Sequence, residues 1–190
     1  MRAVIDPRRP FVLIRHGQTD ANRDGLIAGR IEAQLTEAGR AAARALAGRP
    51  WPAAIALFIS PQARARETAL LAFPGRMPVI LGGLRERDWG QFEGRPIHEM
   101  PAREATPEGG EPWPAMLARV GGAIRAAQDR AGAALPVLVA HSGVIRAARQ
   151  LTGGSAHGPS PANTTPHLFR PTAAGWCEEI LTEKDRIWTA

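Results

Sequence analysis

The sequence has one cysteine, Cys177, and one lysine, Lys184. A single cysteine excludes an internal disulfide framework and a cysteine-rich metal site. Beside Trp176, it reads as a core or surface thiol rather than a nucleophile. A cysteine-based phosphatase would need arginine six residues further on, where Glu183 stands. A P-loop needs a lysine after its glycines, and Lys184 is in no such context. The five histidines, His16, His98, His141, His157 and His167, lack the paired spacing of a zinc helix, so no metal site is expected. Ala140-His141-Ser142-Gly143-Val144 lacks both glycines of a nucleophile elbow. No apolar run approaches a membrane span. The first ten residues, charged and proline-bearing, lack the apolar core and small-residue cleavage site of a signal peptide. A cytoplasmic protein without membrane contact is the expectation.

What remains is an ordinary globular composition. With 190 residues and a hydrophobic share of 44%, the chain can bury a substantial core, and one domain over 1–190 is expected. The formal net charge of +6 rests almost entirely on arginines spread along an alanine-rich chain, a bias typical of GC-rich coding. There is no basic tail or lysine run, so nucleic acid is not expected; anionic small molecules suit this charge.

Phe11-Val12-Leu13-Ile14 has the pattern of a buried parallel strand, and it turns abruptly into Arg15-His16-Gly17. Alone, this is equally a strand ending in a polar turn. A polar loop follows from Asp20 to Gln34. Thr36 is a candidate N-cap for a helix to about Ala47. Ile55–Ile59 reads as a second strand running into Ser60-Pro61, with a helix from Gln62 to Phe73 that Pro74 stops. Val79–Leu81 is a short third strand. Residues 84–112 are irregular, the length of a functional lid or binding segment. Trp113, Met116, Leu117, Val120, Ile124 and Ala127 mark the apolar stripe of a helix. Leu135–Ala140 is another buried strand, ending in His141-Ser142-Gly143, with a helix from Val144 to about Leu151. Pro166–Arg170 and Trp176–Leu181 read as short strands at a sheet edge. Alternating strands and helices predict an α/β fold, a doubly wound, mostly parallel sheet flanked by helices. Its carboxyl edge, where such sheets bind ligands, would collect Arg15, His16, Ser60 and His141, with Arg64 on the next turn. Two arginines and two histidines at one rim suit a phosphoryl group: guanidinium forks match its oxygens, and a histidine can attack phosphorus.

These residues resemble the histidine phosphatase superfamily, in the branch containing phosphoglycerate mutases. The matches run in order: Arg15-His16-Gly17-Gln18-Thr19 with Asn22, Leu35-Thr36-Glu37-Ala38-Gly39, and Ser60-Pro61-Gln62-Ala63-Arg64-Ala65-Arg66-Glu67-Thr68-Ala69. Leu84-Arg85-Glu86 with Trp89-Gly90 and Phe92-Glu93-Gly94, Gly109-Gly110-Glu111, and His141 to Arg146 complete them. The resemblance covers Phe11 to about Arg170 and implies a three-layer fold. It implies that His16 attacks the phosphoryl group in line, that Arg15, Arg64 and His141 hold its oxygens, and that Glu86 protonates the leaving oxygen and then activates water. Asn22, Gly29 and Ser142 would line the phosphate pocket. Neighbouring arginines should keep His16 neutral, while His141 would carry positive charge. No metal or organic cofactor is implied.

Two positions depart from the pattern. Ala28 precedes Gly29 where relatives often carry a polar side chain, and Gln62 replaces a leucine, read as a packing change. Mutases of this type are longer, with an added segment over the site, and residues 95–112 lack an arginine cluster for a second phosphate. Hydrolysis of a small phosphomonoester is therefore expected over mutase-type transfer, with a non-catalytic phospholigand-binding protein as the rival of another class. A homodimer is left open. His98, His157 and His167 are expected at the surface, and Asn163 is assigned no role.

Overall fold

A computed structural model describes residues 5–182; Glu183 and Lys184 lie outside the described residues. The strands are β1 (Phe11–Arg15), β2 (Ile55–Ile59), β3 (Val79–Ile80), β4 (Leu135–Ala140), β5 (Pro166–Thr172) and β6 (Gly175–Ile180). They form one sheet in the order β3-β2-β4-β1-β5-β6. β1 to β4 run parallel, and β5 is antiparallel to both its neighbours. The helices are α1 (Asp20–Arg23), α2 (Glu37–Ala45), α3 (Ala63–Ala72), α4 (Trp113–Arg130) and α5 (Ser142–Leu151).

The apolar run of β1 divides between two cores because alternate strand residues face opposite sides. Phe11 and Leu13 pack with Met116, Val120 and Ile124 of α4 and Val144 of α5. Val12 and Ile14 join Ala65, Ala69 and Ala72 of α3. Burial on both faces is what makes the strand read as a continuous hydrophobic run. The predicted stripe of α4 is buried except for Leu117, which is half-buried.

Helix boundaries follow local chemistry. Thr36 caps α2 as predicted, its Oγ1 accepting from the Gly39 N–H at 3.0 Å. α1 corrects the expectation of a plain loop from Asp20. Thr19 Oγ1 accepts from the Asn22 N–H at 3.2 Å and Asn22 Oδ1 accepts from the Thr19 N–H at 3.2 Å, a reciprocal cap. A helix of four residues shows no periodicity, so pattern reading passes over it. β5 is also a correction: it lies inside the sheet between β1 and β6, and of these two strands β6 alone is at an edge. Pro166 occupies its first position, where a missing N–H is tolerated.

The register brings the carboxyl ends of three strands together. Arg15 pairs with Ala140 and Ile59 with Val139. The ladder continues one step beyond the strands, with the His16 N–H on Ala140 O at 2.9 Å and the Ser60 N–H on Val139 O at 3.0 Å. His16, Ser60 and His141 thus stand on one rim. Among the described residues, no helix is long and apolar enough to cross a membrane.

Candidate active site

His16 is 5% exposed and its backbone is fixed on several sides. Besides the Ala140 bond, its carbonyl accepts from Asn163 Nδ2 at 2.7 Å, and the next N–H, of Gly17, donates to Thr68 Oγ1 at 2.9 Å. Its Nδ1 lies 2.7 Å from Gly17 O. A carbonyl can only accept, so Nδ1 carries the proton and Nε2 keeps its lone pair. Asn163 thus has a clear place: its amide also reaches Asn22 Oδ1 at 3.2 Å, joining the entry to β5 to the cap of α1.

His141 is fully buried, 5.2 Å from His16 between ring centroids. Its Nε2 meets Ser60 Oγ at 2.8 Å, while Nδ1 has no protein partner. The turn from β2 into α3 supplies two more polar groups to the site. Arg64, 1% exposed, donates to the carbonyls of Ile31 at 2.9 Å, Gly29 at 2.8 Å and Ala28 at 3.2 Å. Gln62 corrects the packing reading: it is a buried bridge, Nε2 donating to Gly29 O at 2.6 Å and Oε1 accepting the Glu86 N–H at 2.7 Å. A leucine could make neither bond.

Glu86 is held at both oxygens. Oε2 accepts the Gly143 N–H at 2.9 Å at the start of α5, and Oε1 accepts the Arg87 N–H at 2.8 Å. A Cβ on Gly143 would lie 2.1 Å from Glu86 Oε1, so this approach requires glycine. The irregular segment after Glu86 winds around Arg87, which is fully buried and donates to the carbonyls of Arg103, Ala105 and Glu111 at 2.7 to 3.0 Å. Arg119 of α4 pins its other side, bonding Gly83 O, Arg85 O and Glu86 O and pairing with Glu111 at 2.6 Å.

These elements enclose a cavity of about 230 Å³ whose polar wall carries Arg15, His16, Asn22, Glu86, Ser142 and Ser160. Leu26, Ile27, Ala28, Trp89, Ile97 and Met100 form its apolar side. Arg103 and Arg146 also line it, and sequence reasoning gives neither a role. Arg64 and His141 stand behind the wall. Gly29 is a correction: it does not line the cavity, its carbonyl serves Arg64 and Gln62, and its N–H donates to Glu93 at 3.0 Å. A larger cleft, of about 820 Å³, lies across the Ser160 loop and holds no strand-end catalytic candidate. It does contain His167, expected at the surface but 1% exposed and 2.7 Å from Glu178.

Charge and burial set the protonation states. Burial first, then Arg64 and Arg15, pushes His16 well below the ordinary imidazole value. Burial first, then Arg64 and His16, does the same to His141. Both histidines of the protein alone are therefore neutral near pH 7. The Nε atoms of Arg15, Arg64 and Arg103 are buried without a protein partner, as is His141 Nδ1.

Two outcomes follow for stability. Gln62→Leu removes the acceptor of the Glu86 N–H and is expected to lower unfolding free energy by about 1–2 kcal/mol in urea; no loss would remove the bridge from the account. The unfolded chain protonates its histidines near 6.5, while folded His16 and His141 stay neutral to lower pH. Below that value the unfolded state therefore binds more protons. Stability should be at its full value above 6.5 and fall as pH drops toward the depressed folded values. His141→Asn should flatten the decline of urea midpoints between about pH 8 and about pH 5; an unchanged slope would exclude His141 from it.

Comparison with known proteins identifies the family. Residues 11–160 match the family model of the histidine phosphatase superfamily (branch 1). A Schizosaccharomyces pombe protein named "Probable phosphatase" is 41% identical over 91 residues, which are 46% of this chain and 44% of that protein. The Arabidopsis thaliana metal-independent phosphoserine phosphatase is 30% identical over 156 residues, covering 72% of this chain and 66% of its own length. The chain thus spans less than half of the first relative. A solved Thermus thermophilus protein superposes with a TM-score of 0.70 at 31% identity, over 91% of this chain and 97% of that one. An Escherichia coli structure, 24% identical, shares the fold with a TM-score of 0.79 over 92% of this chain and 96% of that one. With a strand-end histidine pair, a buried arginine at the start of α3 and a family match over most of its length, the chain belongs to the histidine phosphatase superfamily.

Proposed function

We propose that the protein hydrolyses a small phosphomonoester through a phosphohistidine on His16. The observation that carries this reading is the set of unpartnered nitrogens around one nucleophile: Arg15 Nε, Arg64 Nε and His141 Nδ1 are buried without acceptors beside a histidine whose Nε2 lone pair is fixed. Orphaned buried donors are costly, and a phosphoryl dianion supplies the oxygens they lack.

In the first step His16 Nε2 forms a bond to phosphorus as the ester P–O bond breaks. The proton on Glu86 passes to the leaving oxygen, which departs as the alcohol. In the second step water attacks phosphorus, its proton returns to Glu86, and the P–N bond breaks to release phosphate and restore His16. The equatorial oxygens are held throughout by the two arginines and by His141. When the Ser60 hydroxyl donates to His141 Nε2, the Nδ1–H is left as a neutral donor. Every group needed is a side chain of this protein, and the name of the Arabidopsis relative, metal-independent, supports a metal-free reaction. The same name makes phosphoserine one of the first esters to test.

With p-nitrophenyl phosphate, His16→Ala should lose activity by roughly 10³-fold or more; equal inertness of variant and wild type across a panel of phosphomonoesters would sink the enzyme reading. Glu86→Gln should slow esters of poor leaving groups by about 10²–10⁴-fold and p-nitrophenyl phosphate far less. An equal loss for both would reject the acid role. Phosphoglycerate interconversion measured alongside should be slower than phosphate release; the reverse would establish mutase-type transfer.

A further inference from the structure

The cleft of about 820 Å³ across the Ser160 loop has no part in the proposed reaction, yet its volume is that of a small-molecule site. Its floor is the face of the β5–β6 hairpin that carries His167, Trp176, Glu178 and Ile180. Its rim is the end of α5, with Arg149 and Thr152, and the chain that follows from Gly153 to Ala162.

The floor holds a polar cluster that the fold leaves incomplete. Glu178 Oε1 lies 2.7 Å from His167 Nδ1, and Arg149 Nε donates to both oxygens of the same carboxylate at 2.8 and 3.0 Å. Burial works to raise the Glu178 carboxyl, but the bonds from His167 and Arg149 outweigh it and hold the group below the usual carboxylate value. An ionised carboxylate only accepts, so the proton between the two is on His167 Nδ1. In the neutral ring Nε2 then keeps its lone pair. That Nε2 is buried without a partner, on a side chain 1% exposed in the wall of the cleft. A buried acceptor with no donor is unfavourable, and a ligand N–H or O–H would relieve it.

The charges of the cleft are already settled. Arg149 and Glu178 neutralise each other, and His157 pairs with Glu104. The remaining wall includes the half-buried Trp176 ring, Ile180, Pro159 and Pro161. Balanced charge, an indole wall and one unmet acceptor suit an uncharged, flat apolar body with a single donor.

We propose that this cleft is a second binding site, separate from the phosphoryl cavity, for an uncharged aromatic molecule whose N–H or O–H is received by His167 Nε2. Ser160, which lines both cavities, stands between the two sites, and Pro161 O accepts Arg15 Nη1 at 2.8 Å. The site does not depend on the hydrolase reading, because occupancy is read without turnover.

Indole is the probe, set against benzofuran, which keeps the shape but has oxygen in place of the N–H. Indole-3-carboxamide is set against indole-3-carboxylate to test charge. Titrated at about pH 8, where an ordinary imidazole is neutral, indole should bind about tenfold or more tighter than benzofuran. The carboxamide should bind more tightly than the carboxylate. By nitrogen NMR, the His167 ring resonance, identified by its loss in His167→Phe, should move with indole and stay in place with benzofuran. His167→Phe keeps a ring but removes the acceptor, and should bind the two compounds equally. If that variant does not fold, Ser155→Trp, at an exposed position on the rim, fills the cleft and should abolish binding of both. Turnover of p-nitrophenyl phosphate should persist in each variant, which separates the cleft from the phosphoryl cavity. A wild type without phosphatase activity that still prefers indole would sink the hydrolase reading and leave this site standing. No binding, equal binding of indole and benzofuran to wild type, or an indole preference that survives in either variant overturns the site.

Discussion

The turn out of β2 into α3 must satisfy its own polar groups, and in doing so it fixes side chains and backbone from three other parts of the chain. Ser60 Oγ meets His141 Nε2; Gln62 spans the Gly29 carbonyl and the Glu86 N–H. One turn on, Arg64 gathers the carbonyls of residues 28, 29 and 31, and Thr68 Oγ1 takes the N–H that follows His16. His16, His141, Glu86 and Arg64 are therefore referenced to one short strand–helix junction. Groups placed on such a frame hold their mutual geometry better than groups placed on separate loops.

The frame has an electrostatic consequence. Arg64 and Arg87 are the two largest fully buried side chains, and neither has a carboxylate at ion-pair distance among the described residues. Both are solvated by backbone carbonyls instead, which order the loops around them, while carboxylates act on them only from beyond ion-pair distance. The field of Arg64, added to burial, keeps His16 and His141 neutral. A neutral His16 with its Nδ1 proton tied to Gly17 is the form that the proposed attack on phosphorus needs, so in that reading the charges that attract an anion also maintain the nucleophile.

Much of this is legible in the sequence where a residue's place follows from its strand. His16, Ser60 and His141 each end or follow a buried apolar run, and a parallel sheet must bring such ends together. Arg64 follows from its distance along the next helix. Gln62 misleads because a single polar residue at a hydrophobic position looks like altered packing until both its partners are known, and those lie 33 and 24 residues away. Asn163 and His167 escape a sequence reading for the same reason: their partners are set by β5 lying inside the sheet, which two prolines near its ends disguise. Arg103 and Arg146 come from elements with no sequence relation to each other, and only the winding of the chain around Arg87 brings them to one wall.

That winding separates two tasks within the site. His16 is fixed through its own N–H, its carbonyl, the following N–H and its ring Nδ1. Its ring Nε2 therefore has almost no freedom left. Glu86, by contrast, sits at the head of a segment whose path depends on Arg87, Arg119 and the length of chain up to α4. Changes in that segment would reach the Glu86 side of the cavity and leave the bonds that hold His16 untouched. In the proposed reading the ester's organic part would meet Trp89, Ile97 and Met100, facing Leu26 and Ile27. A fold organised this way can keep one reaction and exchange its substrates by rebuilding only the chain between the acid and α4.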